Sequence, residues 1–148
     1  TKSGGVALVE LYTMDSGADV GLVNISARYS VGAGDGVLVA GLVVGPGTPK
    51  TFLIRGVGPG LVAFGVSGVL ADPVLEIFDR DGVRMERNDD WLAPLAPIGR
   101  QVGAFDLTPG SKDAALVVTL GPGNYSAQLS GIGGGTGEGL IEIYDLTP

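Results

Sequence analysis

Apolar and polar positions alternate with a period of two along most of this chain, and the 3.6-residue period of an amphipathic helix is almost absent. The alternation, together with short aliphatic runs, predicts strands at 6–14, 21–31, 37–44, 51–57, 74–79, 83–87, 114–120, 124–130 and 139–146. The breaks between them carry turn chemistry. "GDG" at 34–36 and "DRDG" at 79–82 supply the Asp-Gly steps of tight turns. "GPG" recurs at 45–47, 58–60 and 121–123, where Pro presets one turn residue and Gly takes the next. The piece "GLVAFGV" at 60–66 follows a Pro and predicts a single helical turn capping one end. Residues 90–112, with three prolines and the only Trp, form the longest stretch without a pattern, a length that marks a functional or contact loop. Many short strands with Gly/Pro turns predict an all-β fold: an antiparallel β-sandwich, jelly-roll or Greek-key-like, of about eight or nine strands.

One strand is written twice. Laying Glu10 on Glu142 brings Gly5 onto Gly137, Leu8 onto Leu140 and Tyr12 onto Tyr144. Val9 then meets Ile141, Leu11 meets Ile143 and Met14 meets Leu146. The chain therefore divides into an N-terminal strand with its "SGAD" connector (1–19) and a sandwich domain (20–148) that ends on the same strand motif. Val6, Leu8, Val9, Leu11, Tyr12 and Met14 are the side chains such an extension strand would offer.

Composition narrows the function. The 148 residues suit one domain with its own core. Nine basic against sixteen acidic residues give a formal charge of −7, which argues against a nucleic-acid partner. With no Cys and no His, disulfides, thiolate catalysis, the common zinc sites and His-based triads are all excluded. No apolar run reaches the roughly 18 residues of a membrane-spanning helix; "GVLVAGLVVG" at 36–45 comes nearest. No signal peptide is legible at Thr1, which fits either an intracellular protein or a processed, secreted one.

Three sets of residues are candidates for chemistry. Asp72, Asp79, Asp81, Asn88, Asp89 and Asp90 are hard oxygen donors on turns, the ligands calcium takes, although the same residues commonly serve to turn the backbone. The glycine turns "GAGDG" and "RGVGPG" match no phosphate-binding motif, and Pro59 removes an N–H from the second. "NIS" and "NYS" make Asn24 and Asn124 glycosylation acceptors in a secreted chain. Lys50 and Arg55 read as ordinary strand charges, and no nucleophile has an activating base, so the chain is expected not to be an enzyme and to need no cofactor other than a candidate calcium ion.

The segment "ADPVLEIFDRDGVRMERNDDW", followed by "DAALVVTLGPGNYSAQLSG", resembles the bacterial pre-peptidase C-terminal type of β-sandwich, with Asp72, Asp79, Gly82, Asn88, Asp89, Gly123 and Tyr125 at the pattern positions. The wider unit is similar to a repeat found in tandem in large bacterial surface and secreted proteins, each copy ending on a "GxxLVEVYDL"-like strand. The resemblance implies an extracellular, non-catalytic module and favours the processed chain. The duplicated strand then has three explanations: an excerpt of an array, two strands of one sandwich, or a surplus strand that completes a neighbouring subunit. An unguarded "VALVELY" edge invites pairing with another chain. The leading expectation is a homopolymeric extracellular filament or surface assembly built by head-to-tail donation of the N-terminal strand. The runner-up is a monomeric module binding carbohydrate or another surface polymer, with Trp91 as contact.

Overall fold

A computed structural model describes residues 24–147 of the protein, and the strand expected at 6–14 lies outside the described residues. Eight strands follow in order: β1 (Asn24–Val31), β2 (Leu38–Val44), β3 (Lys50–Val57), β4 (Pro73–Asp79), β5 (Arg84–Asn88), β6 (Ala114–Leu120), β7 (Gly123–Gly131) and β8 (Gly137–Asp145). They form two four-stranded antiparallel sheets with strand orders β1-β8-β3-β6 and β2-β7-β4-β5. Every consecutive pair except β4–β5 crosses from one sheet to the other, which is the winding of a jelly roll. Eight of the predicted strands are thus present, each within a few residues of its expected bounds.

The main core lies between the sheets. Phe52, Ile54, Leu75, Ile77, Ala127, Leu129, Ile141 and Ile143 fill it, each drawn from alternate positions of a central strand. In β3, however, the outward positions Leu53, Arg55 and Val57 are buried as well. The near-continuous apolar run "FLIRGV" reflects this burial on both faces.

The covering layer is the β5–β6 connection. This stretch, expected to be irregular, contains a 3₁₀ turn (Ala93–Leu95) and a short helix α1 (Ala96–Gln101). Each begins with Pro in its first turn, where the missing N–H costs nothing. Elements of this length are too short to display a helical period, so the pattern did not reveal them. Ile98, Val102 and Ala104 pack on Leu53 and Tyr144, while Trp91, Leu95 and Leu107 pack around Val57 and Ala115. The cap anticipated at 60–66 is present as a 3₁₀ turn, Pro59–Phe64.

A buried carboxylate ties these parts together. Asp113, fully buried, accepts from the Gly58 and Gly60 N–H groups at 2.9 and 3.0 Å and from Ser111 Oγ at 2.6 Å. The "GPG" turn at 58–60 does form an anion-binding concavity, and the protein's own Asp fills it. A Cβ on Gly58 would stand 2.0 Å from the Leu70 carbonyl oxygen, so only Gly fits there.

Candidate functional site

The four sheet edges are not equivalent. At the β5/β6 side, Ala115 N–H donates to Asn88 Oδ1 at 2.9 Å and Trp91 N–H donates to the Asp113 carbonyl at 2.8 Å, stitching one sheet to the other. β5 itself, "RMERN", carries alternating charge and a register shift at Ile77/Phe78, both of which discourage further pairing. The opposite side is formed by β1 and β2, consecutive strands that lie in different sheets and are joined by the loop at 32–37. Their inward side chains Ile25, Ala27, Leu38, Ala40 and Leu42 are only half-buried, whereas their neighbours one strand further in, Ile141, Ile143, Ala127 and Leu129, are buried. β2, "LVAGLVV", has no charge and no Pro, and its outward Val39 and Val43 are 51% and 68% exposed. Among the described residues no strand pairs on the outer side of β1 or β2, so within them the β1/β2 seam is the open flank of the sandwich, edged by backbone groups that can accept another strand.

Of the duplicated strand, the C-terminal copy is β8, which sits between β1 and β3 in the centre of its sheet. Ile141 and Ile143 point into the core, and Leu140, Glu142 and Tyr144 point to the covered outer face. Glu142 there makes a buried ion pair with Arg55, Nε to Oε2 at 2.9 Å, with the two groups off the line of a hydrogen bond. Tyr144 Oη donates to Glu142 Oε1 at 2.8 Å, Arg55 Nη1 donates to the Phe105 carbonyl at 2.7 Å, and the guanidinium lies 4.3 Å from the Phe105 ring centroid. Burial, reinforced by the Glu142 charge and hydrogen bond, pushes the Tyr144 phenol up to about 12. Leu146 packs beside Tyr144, and its N–H donates to the Thr51 carbonyl. Arg55 is therefore not the ordinary strand charge its position suggested. The signal was present: one cation inside "FLIRGV" and one anion inside "LIEIY", each alone in an apolar strand. The N-terminal copy, with Val6, Leu8, Val9, Leu11, Tyr12 and Met14, lies outside the described residues.

The acidic set is split. Asp79 and Asp81 stand at the β4–β5 turn, where Asp79 Oδ1 accepts from the Asp81 and Val83 N–H groups at 2.9 and 2.8 Å. Asp72, Asn88, Asp89 and Asp90 stand at the far end of the same hairpin, roughly 20 Å away at about 3.3 Å per strand residue. Asn88 is spent on Ala115 N–H and the Asp90 carbonyl, and Asp89 pairs with Arg87. A second cation at that end is Lys112, 3.0 Å from Asp90 Oδ1. Its hydrogen bond to Asp90, then the charges of Asp90 and Asp72, raise its pKa. Among the described residues no group of three or more acidic side chains is placed to hold a metal ion. Turn-making and local ion pairs account for these residues instead.

Trp91 is 7% exposed and belongs to the covering layer, with its indole N–H directed at Ser111 Oγ (3.1 Å) and the Thr108 carbonyl (3.3 Å). It offers no face to a sugar. The nearby cavity between Arg55, Trp91 and Phe105 measures about 20 Å³, the room of a single water molecule. Asn24 and Asn124 are exposed at the starts of β1 and β7. Among the described residues no helix is long and apolar enough to cross a membrane. In comparisons with known proteins the chain matches no family model, and no curated protein is significantly similar to it.

Proposed function

We propose that the protein is a structural subunit of an extracellular filament or surface assembly, without catalytic activity, which polymerises by lending its N-terminal strand to a neighbouring copy. The duplicated strand carries this reading. One copy, β8, is held in the middle of its sheet by pairing on both sides, so it is not available to exchange. The other copy is the same sequence pattern on the N-terminal side of β1, and an open seam between β1 and β2 lies on the flank where the described chain starts. Its inward-type residues Val9 and Leu11 correspond to the core residues Ile141 and Ile143. A strand laid along the seam would bury those side chains against half-exposed aliphatics and satisfy edge N–H and C=O groups. Donor and acceptor are different surfaces, so the contact is head-to-tail and repeats into a fibre unless it closes a ring.

Deleting residues 1–15 tests this. The expected product is a soluble, folded monomer by size-exclusion chromatography that forms no fibres in electron micrographs. Fibres of the truncated protein would overturn the reading.

A further inference from the structure

The edge of β1 carries a row of outward side chains, Asn24, Ser26 and Arg28, that face Tyr144, Glu142 and Leu140 of β8 across the sheet. Each of the other Lys and Arg residues within 24–147 has an ion-pair partner: Lys50, Arg55, Arg80, Arg84, Arg87, Arg100 and Lys112 meet Asp145, Glu142, Asp81, Glu76, Asp89, Asp106 and Asp90. Arg28 is exposed and is the one Lys or Arg among the described residues that pairs with no described carboxylate. It stands on an edge strand beside the open seam.

Within the fold, β8 already demonstrates what its sequence pattern requires. Its aliphatics turn inward, its Glu and Tyr turn outward, and the Glu is matched by an arginine, Arg55, on the next strand. The N-terminal copy repeats the sequence pattern, and as a strand it would put Val9 and Leu11 on one face and Glu10 and Tyr12 on the other. Laid antiparallel on the outer side of β1 with its aliphatics inward, such a strand places Glu10 in the outward row. Opposite Ser26 or Arg28, its carboxylate falls within the cross-strand or diagonal reach of the Arg28 side chain. β2, the other edge of the seam, has no charge to meet Glu10.

We infer that Arg28 is the docking cation for Glu10 of a second copy, so that the donated strand seats on the outer edge of β1, where it repeats the Glu–Arg match that Glu142 and Arg55 make inside the subunit. This rests on the strand-donation reading and names its acceptor edge. A paired charge on an otherwise apolar contact sets register and rejects wrong partners, because the wrong seating leaves like charges opposed or a carboxylate unmatched.

A charge-swap experiment in the full chain separates this inference from the reading beneath it. Glu10→Arg and Arg28→Glu each oppose like charges, and each alone is expected to raise the protein concentration needed for assembly by about tenfold, by light scattering and electron microscopy. Circular dichroism of both variants checks that the sandwich is folded. Mixing the two variants restores assembly, because the positive donor of one meets the negative edge of the other, and the reverse contact is the native one. A pairing within one chain would gain nothing from mixing. If single variants assemble as the parent does, or mixing fails to rescue them, the Arg28 inference is overturned. The strand-donation reading stands or falls separately, on the deletion of residues 1–15. If Val43→Lys on β2 blocks assembly while the reversals at 10 and 28 do not, the donor seats on β2 and Arg28 has no part in it.

Discussion

Two arginines, Arg55 and Arg100, differ sharply in what they hold. Arg55 and Glu142 are both almost fully buried, and removing one leaves the other charged and without its counter-ion. Arg55→Ala is expected to cost about 3–5 kcal/mol in urea unfolding. The exposed pair Arg100–Asp106 is the control, and Arg100→Ala should cost no more than about 1 kcal/mol. Tyr144 adds a pH dependence. Its phenol ionises near 12 in the folded protein, whereas in the unfolded chain it ionises at its ordinary value of 10. Between these values the unfolded state loses its proton first, so the stability contributed by the neutral phenol is complete below pH 10 and is lost as pH rises toward 12. Tyr144→Phe should be less stable than the parent at neutral pH and should show a shallower alkaline decline over that window. An unchanged alkaline limb in denaturation series from pH 9 to 12 would contradict the assignment. At the acid end, burial alone would raise the Asp145 carboxyl, but the Lys50 and Thr147 hydrogen bonds outweigh it and leave it lowered.

The β4–β5 hairpin shows why a cluster along the chain need not be a cluster in space. Its turn sets Asp79 and Asp81 at one end, and the antiparallel return sets Asp89 and Asp90 beside Asp72 at the other. Asp79 closes the turn through two backbone N–H groups, and Arg87 and Lys112 supply the positive charge at the far end. The melting temperature should therefore be the same with and without a calcium chelator; a fall on chelation would restore the metal reading. The pattern positions that the resemblance picked out do have structural work here. Asn88 bridges the sheets, and Tyr125 Oη donates to the Gly121 carbonyl at 3.0 Å, closing the "GPG" connection into β7. These are turn and seam contacts, so the motif speaks to the fold and leaves the ligand unnamed.

For the whole molecule, asymmetry is the main point. One flank of the jelly roll is laced shut by Asn88 and Trp91, and the other is left with half-exposed aliphatics and an uncharged edge strand. A single subunit carrying such a flank is exposed to uncontrolled pairing unless a defined strand occupies it. The strand-donation proposal makes its prediction at this scale: deleting residues 1–15 is expected to leave a sandwich that keeps its acceptor edge but has no strand to give, and so forms no fibres. That truncated monomer should in turn be soluble only at modest concentration.

Strand positions, turn types and fold class were legible in the sequence because they depend on neighbours: alternation along a strand, Pro and Gly at a break, the absence of helical period. The duplicated sequence motif was legible for the same reason, as a comparison of one short segment with another, and its C-terminal copy is the strand β8. The open β1/β2 flank, the burial of Trp91, the Arg55–Glu142 pair and the division of the acidic set were decided only by the tertiary structure. Each depends on which strands far apart in the chain become neighbours and on which face a third layer covers. Alternation reports that a residue faces one side of a sheet; only the packed sheets determine whether that side meets water, a covering helix or another strand.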